Sequence, residues 1–247
     1  MKNIAVIGSS GAIGYSFVNR LSELNSVEKI YAFSRSNLKF DLPNVISDII
    51  DITDEDSIIK AVSSIHEDIK LDLVIVATGI LHDTYVQPEK SLRDLSKDKF
   101  EKIFAVNTIG PGLLMKHFIP IMDKDNKSIF AVLSAHAGSI TDNKLGGWYS
   151  YRISKSALNM LIKNLSIEVA RRNKNSIIVG LDPGSVDSKL LEPFKKYMNP
   201  NSILTADSST LKLLEVLLTT NSLDTFLIWD NFSIVWTINE GSLDLPL

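Results

Sequence analysis

Short, almost wholly apolar runs recur along this chain, and each is followed by a longer segment with helical spacing. The apolar runs are IAVIG (4–8), KIYAFS (29–34), VISDIID (45–51), LDLVIVATG (71–79), SIFAVLS (128–134), SIIVGLDPG (176–184) and DTFLIWD (224–230). Strands with one wet face alternate apolar and polar residues, so strands this uniformly apolar are covered on both faces. Between them, helical spacing runs over 15–24 (Phe17, Leu21, Leu24), 57–69, 98–122 with a break at Gly110-Pro111-Gly112, 151–172 and 208–220. Leu158, Leu161, Leu165 and Val169 make one stripe of the 151–172 helix, spaced to pack on a sheet. Strand, helix, strand repeated about six times predicts an α/β fold, a doubly wound parallel sheet with helices on both faces. No linker, composition shift or repeat divides the chain, so a single domain is expected over 1–247. Its least regular stretch, about 189–206 with Pro193, Pro200 and Asn201, is a candidate substrate flap.

Composition narrows the function. There are no cysteines, hence no disulfide, thiolate metal site or cysteine nucleophile. The four histidines (His66, His82, His117, His136) are scattered, and no metal site is expected. A net charge of −3 without a basic cluster argues against nucleic acid or an anionic membrane as the main partner. The N-terminal apolar run, Ile4–Ile7, is too short for a signal-peptide core, and no later run approaches a membrane span. A cytoplasmic location is expected. Trp148, Trp229 and Trp236 read as core or pocket wall, and His136 as a candidate for the substrate mouth.

The first strand runs straight into Gly8-Ser9-Ser10-Gly11-Ala12-Ile13-Gly14. A glycine-rich strand-to-helix turn lets backbone approach a pyrophosphate, which the helix N-terminus favours electrostatically. Gly8, Ser10, Gly11, Ile13 and Gly14 are therefore candidate cofactor contacts. At the end of the second strand an acid holds the ribose 2′-hydroxyl of NAD, whereas an arginine accommodates the 2′-phosphate of NADP. Here Phe33-Ser34-Arg35-Ser36 carries no acid, so Ser34 and Arg35 point to NADP rather than NAD.

In GGWYSYRISKSALNM, Tyr151 and Lys155 are four apart and share a helix face. An ammonium beside a phenol favours the phenolate and is expected to lower the tyrosine pKa, making Tyr151 a usable acid or base for a carbonyl and alcohol pair. Tyr149 has Ile153 at the same offset and lacks such a partner.

The glycine turn, Asn107 in AVNTIGP, Tyr151 with Lys155, and Pro183-Gly184-Ser185-Val186 together resemble the short-chain dehydrogenase/reductase family over nearly the whole chain. Asp51 in DIIDITDED resembles that family's adenine-contacting aspartate, and Gly79 in VIVATG the last position of its Asn-Asn-Ala-Gly segment. SAHAGSITDNKLGGWYSYRISKSALNM is most similar to sniffer-like carbonyl reductases and C-factor-like signalling proteins. The resemblance implies a Rossmann-type fold, a nicotinamide cofactor and a Tyr-Lys-Ser-Asn site. It implies that Lys155 also binds the nicotinamide ribose, that Asn107 helps hold a relay water, and that Gly79, Pro183, Gly184 and Val186 line the cofactor. It also implies a homodimer or homotetramer through the helix that follows Tyr151.

The chain departs from the family pattern in three places. Glycine spacing differs, with Ala12 where a glycine is common and Gly11 one position early. Val76-Ala77-Thr78 replaces Asn-Asn-Ala. The family's serine stands three residues before a glycine, a slot held here by Ala135 ahead of Gly138. Ser134 neighbours the slot but, on a strand, faces the opposite side. Ser139, 12 residues before Tyr151, is the favoured substitute. The expected function is an NADP(H)-dependent oxidoreductase acting on a small carbonyl or alcohol, with Tyr151, Lys155, Ser139 and Asn107 as its catalytic residues. The alternative is a dinucleotide-binding signalling protein with little turnover.

Overall fold

The computed structural model describes residues 1–220 together with the backbone of 229–230 and 233–234. Its strands are β1 (Asn3–Ile7), β2 (Lys29–Ser34), β3 (Val45–Ile49), β4 (Leu73–Val76), β5 (Ser128–Leu133) and β6 (Ser176–Leu181). They form one all-parallel sheet in the order β3-β2-β1-β4-β5-β6. This is the doubly wound order in which the chain reverses direction between β1 and β4, leaving a crevice outside their carboxyl ends.

Burial explains the apolar runs. Every residue of β4 and β5 is buried, whereas β3 at the sheet edge alternates and is largely exposed. One face of the sheet is covered by α1 (Ala12–Ser22) and α6 (Ala206–Thr219), through Phe17, Val18, Leu21, Leu213 and Leu217. The other is covered by α2 (Glu55–Ser63), α4 (Gly110–Phe118) and α5 (Tyr149–Arg172), following α3 (Lys97–Phe104) in the chain for the last two. The predicted α5 stripe packs there, with Leu158 fully buried and Leu161, Leu165 and Val169 partly so.

The expected break at Gly110-Pro111-Gly112 lies one turn earlier, as a π-helical turn over Ala105–Ile109. The Gly110 N–H donates to the Ala105 carbonyl, five residues back. Pro111 has no N–H for the usual bond, and Gly110 is pressed against Ile52, 2.9 Å from where a Cβ would stand.

Beyond β6 the chain makes an excursion and returns. Leu204 N–H donates to Ser185 O (2.8 Å) and Asp187 N–H to Leu204 O (2.8 Å), and Thr205 caps α6 by accepting from Ser208 N–H. The excursion holds two short 3-10 turns, Glu192–Tyr197 and Pro200–Ser202. Of the strand expected at 224–230, residues 224–228 lie outside the described ones. Trp229–Asp230 (β7) pairs antiparallel with Ser233–Ile234 (β8), separately from the main sheet. Trp236 also lies outside the described residues. Among those described, no helix is long and apolar enough to cross a membrane.

Candidate active site

The glycine turn sits at the carboxyl end of β1, beside the point of reversal. Gly8 has φ +90°, and a Cβ there would lie 2.7 Å from the Ala77 carbonyl oxygen. A Cβ at Gly14 would collide with the Gly8 carbonyl, so strand, turn and α1 pack with no room for side chains. Gly8 N–H (2.8 Å), Ser9 N–H (3.0 Å) and Ser9 Oγ (3.0 Å) all donate to Phe33 O, tying the turn to β2. Gly11, the N-cap of α1, supplies no side-chain cap, and no acid stands in the first turn, so the positive end of the helix dipole is uncompensated there. Thr78 Oγ1 is buried without a hydrogen-bond partner among the described residues, and its methyl lies 3.0 Å from a Gly8 Cβ position. A tight cradle, an uncapped helix start and an orphaned hydroxyl fit the phosphates of a dinucleotide. Ser10 is exposed and Ile13 half-buried on this turn.

At the ends of β2 and β3, Ser34 is buried and its hydroxyl donates to Ser36 O (2.6 Å), while Arg35 is exposed. Asp51 accepts from Thr53 Oγ1 (2.7 Å) and Thr53 N–H (2.9 Å). Those two bonds, with a smaller contribution from the Arg35 charge, hold its carboxyl below the usual carboxylate range.

Asn107, on the π-helical turn, is fully buried. Its Oδ1 accepts from Ile80 N–H (2.8 Å), and its Nδ2 donates to Ile80 O (2.8 Å) and Ser154 Oγ (3.1 Å). One amide thus clasps the segment after β4 to the helix that carries Tyr151. A Cβ on Gly79 would lie 3.7 Å from both Asn107 Oδ1 and Lys155 Nζ, so these three residues meet at one point.

Lys155 is 3% exposed, and its Nζ donates to Leu133 O (2.9 Å) and lies 6.0 Å from the Tyr151 ring centre. Burial lowers the Lys155 pKa to about 8, against the opposing charge of Asp182. The Tyr151 phenol departs from expectation. Burial, and next the Asp182 carboxylate, push its pKa above the usual value, rather than Lys155 drawing it down. Both partners are desolvated, and a nearby acid disfavours a second negative charge. Asp182, buried at the end of β6, accepts from His136 N–H (2.7 Å) and Gly184 N–H (3.0 Å), joining the loop after β5 to Pro183-Gly184. Sequence reasoning passed over Asp182; the signal was an acid directly before Pro183-Gly184. Pro183 O accepts from Ser209 Oγ (2.7 Å), and Val186 is buried at the root of the excursion.

Neither candidate serine has an unused hydroxyl. Ser134 is buried and donates to Asn159 Oδ1 (2.5 Å) on α5. Ser139 donates to Asp142 Oδ2 (2.7 Å) and accepts from Asp142 N–H (3.2 Å) within its own loop. His136 is exposed. An aromatic wall instead stands over the start of α5. The Trp148 ring lies 6.3 Å from Tyr151, nearly perpendicular, and 4.8 Å from Phe194 of the excursion; Phe194 is 5.7 Å from His82. His82 Nε2 bonds Leu190 O (3.0 Å), a second tie between the excursion and the segment after β4. Phe194 and His82 have no local pattern that marks them, because they meet only through folding.

The sequence model for short chain dehydrogenases matches residues 2–199. Among curated proteins, the chain is 25% identical over 205 residues to 1-hydroxy-2-glutathionyl-2-methyl-3-butene dehydrogenase of Rhodococcus sp. strain AD45, covering 81% of this chain and 86% of that one. Among solved structures it is similar to an NADPH-bound carbonyl reductase from chicken fatty liver, at 26% identity and a TM-score of 0.81, covering 93% of this chain and 92% of that one. The fold also superposes on the carbonyl reductase Sniffer of D. melanogaster, with a TM-score of 0.82 at 21% identity over 96% of this chain and 100% of that one. With the glycine turn, Tyr151 and Lys155 all inside the matched span, this chain belongs to the short-chain dehydrogenase family of oxidoreductases, with the Rossmann-type fold of that family.

Proposed function

We propose that this protein is an NADPH-dependent carbonyl reductase, the reverse reaction being alcohol oxidation, with Tyr151 as its proton donor. The observation that carries the reading is the meeting of Gly79, Asn107 and Lys155 at one point below Tyr151, beside a glycine turn that fits a dinucleotide. Gly8, Ser10, Gly11, Ile13 and Gly14 would hold the pyrophosphate, and Asp51 the adenine side. Ser34 and Arg35 would take the 2′-phosphate, which favours NADP over NAD. Gly79, Asn107, Tyr151, Lys155, Pro183, Gly184 and Val186 would hold the nicotinamide end. When bound, the cofactor supplies the hydride that makes the new C–H bond.

Tyr151 keeps its proton at neutral pH, since burial and Asp182 hold its pKa up, and gives it to the carbonyl oxygen as that oxygen gains an electron pair. Lys155, charged below about pH 8, stabilises the phenolate left behind and binds the ribose. Asn107 keeps Ile80 and Ser154 in register around them and supports the proton relay. Ser139 polarises the oxygen after exchanging its Asp142 partner for the substrate. Exposed Ile153, Met160 and Ile167, seven apart along α5, with Ile109 on the neighbouring π turn, are the face through which we propose a homodimer or homotetramer forms.

A second reading, a dinucleotide-binding signalling protein with little turnover, is favoured by one observation: Ala135 holds the serine slot while the hydroxyls of Ser134 and Ser139 are both engaged. NADPH oxidation against a panel of aldehydes and ketones, wild type beside Tyr151→Phe, separates the two. The enzyme reading expects wild-type turnover and a loss of about 10²–10⁴ in the variant, with the NADPH thermal shift retained. Equal inactivity of both proteins, with NADPH still bound, would establish the second reading.

A further inference from the structure

We propose that Glu89 is a positioning residue of this site: its buried side chain and its backbone hold the start of α5 in a left-handed turn that sets the Trp148 ring between Tyr151 and Phe194. Gly146, Gly147 and Trp148 have φ of +63°, +63° and +49° in succession. Trp148 is the one non-glycine residue with positive φ among those described, a conformation that persists for a bulky side chain only when its surroundings impose it.

Glu89 supplies that imposition from 61 residues before Ser150. Its carbonyl accepts from Trp148 N–H (2.6 Å) and lies 3.3 Å from where a Gly147 Cβ would stand. Its Oε2 accepts from Ser150 N–H (3.2 Å), and its Oε1 accepts from the Ser150 hydroxyl. The carboxylate is 2% exposed and sits at the N-terminus of a 24-residue helix whose own N-cap, Trp148, offers no side-chain acceptor. A serine or aspartate at the N-cap would satisfy the same helix amide. It would place no ring over Tyr151. The arrangement here obtains the cap from a distant acid, which leaves the N-cap position to an aromatic side chain. The segment after β4 is then tied at both ends, Ile80 to Asn107 and Glu89 to Ser150, with the catalytic helix between the two ties. Trp148 in turn meets Phe194, so the acid also sets where the excursion rests.

The inference rests on the proposed function in one respect, that Trp148 faces the substrate. Fluorescence tests the geometry without any activity. With Trp229→Phe and Trp236→Phe, Trp148 becomes the single tryptophan of a chain that has three. Emission and acrylamide quenching are compared for this background, Glu89→Gln and Glu89→Ala, well below each variant's own melting temperature. The expected result is a red shift and several-fold stronger quenching in Glu89→Ala, with Glu89→Gln, which retains the backbone contact and one acceptor, close to the background. Unchanged Trp148 fluorescence in folded Glu89→Ala, with only a lower melting temperature, would reduce Glu89 to a helix cap and overturn the proposal. If the alanine variant does not fold, Glu89→Asp, whose oxygens are withdrawn by one methylene, is read by the same criteria. With NADPH and 4-nitrobenzaldehyde as the probe, Glu89→Ala is expected to raise KM several-fold while the NADPH thermal shift is kept; an unchanged KM would sever Trp148 from the substrate. A wild type inactive on every carbonyl would defeat the proposed function alone, because the fluorescence result stands without turnover.

Discussion

Replacing Lys155 with methionine should abolish activity and also remove a gain in stability that the wild type shows above pH 8. The ammonium is 3% exposed, and burial is the main cause that lowers its pKa from the usual 10.5 to about 8, with Asp182 opposing. A lysine is charged when protonated, so a lowered pKa means that the folded chain binds fewer protons than the unfolded chain between about pH 8 and 10.5. Stability therefore rises with pH across that window. At about 1.4 kcal/mol per pH unit, the fall from 10.5 to about 8 is a penalty of about 3 kcal/mol on the folded state at neutral pH. Linkage recovers about 1 kcal/mol of it between pH 7 and 9, and about 2–3 kcal/mol by pH 10. Methionine keeps an apolar stem of similar length and cannot titrate. Its loss of the bond to Leu133 O is an offset of about 1 kcal/mol that does not vary with pH in this range. Urea unfolding of both proteins without cofactor, at pH 7, 8, 9 and 10, gives the difference in which the other titrating groups cancel. Wild type should gain on the variant by about the amounts above. Stabilities that move in parallel from pH 7 to 10 would refute the reasoning and place the ammonium in a solvated or fully paired setting.

Three further outcomes are expected. Ser139→Ala should lower turnover by up to about 10², while Asp142→Ala, which releases the Ser139 hydroxyl, should raise it; the opposite pattern, with a rise only in Ala135→Ser, would move the oxyanion role back to the empty slot. Arg35→Ala should weaken NADPH about 10–100-fold, the worth of one charge-assisted bond, and leave NADH little changed in thermal-shift titrations; equal losses for both cofactors would remove Arg35 from the 2′-phosphate. Met160→Glu, in the middle of the exposed α5 stripe, should reduce the mass seen by light scattering to that of one chain, and an unchanged mass would place the subunit contact elsewhere.

The parts of the site that could be read in advance are those built by neighbours in the chain. A turn between β1 and α1 needs its glycines within seven residues, and a helix brings Tyr151 and Lys155 together through a four-residue spacing. The buried strands announced themselves for the same reason, since two covered faces leave no position for a polar residue. β3 broke the pattern because an edge strand has fewer neighbours, and the break near Gly110 moved to 105–109 because Pro111 affects the carbonyls before it.

The chemical environment followed no such local rule. The direction of the Tyr151 pKa depends on burial of the phenol and on Asp182, 31 positions away in the chain. Whether a serine hydroxyl is free depends on Asn159 or Asp142 having taken it first. Phe194, His82 and Glu89 reach the start of α5 only because the excursion and the segment after β4 fold over it. By itself the sequence determined the sheet class, the glycine turn and the Tyr151–Lys155 pair, since backbone periodicity and close spacing set all three. Tertiary structure alone decided the proton affinities, the spent hydroxyls and the aromatic wall, because desolvation and hydrogen-bond partners are contributed by residues far apart in the chain.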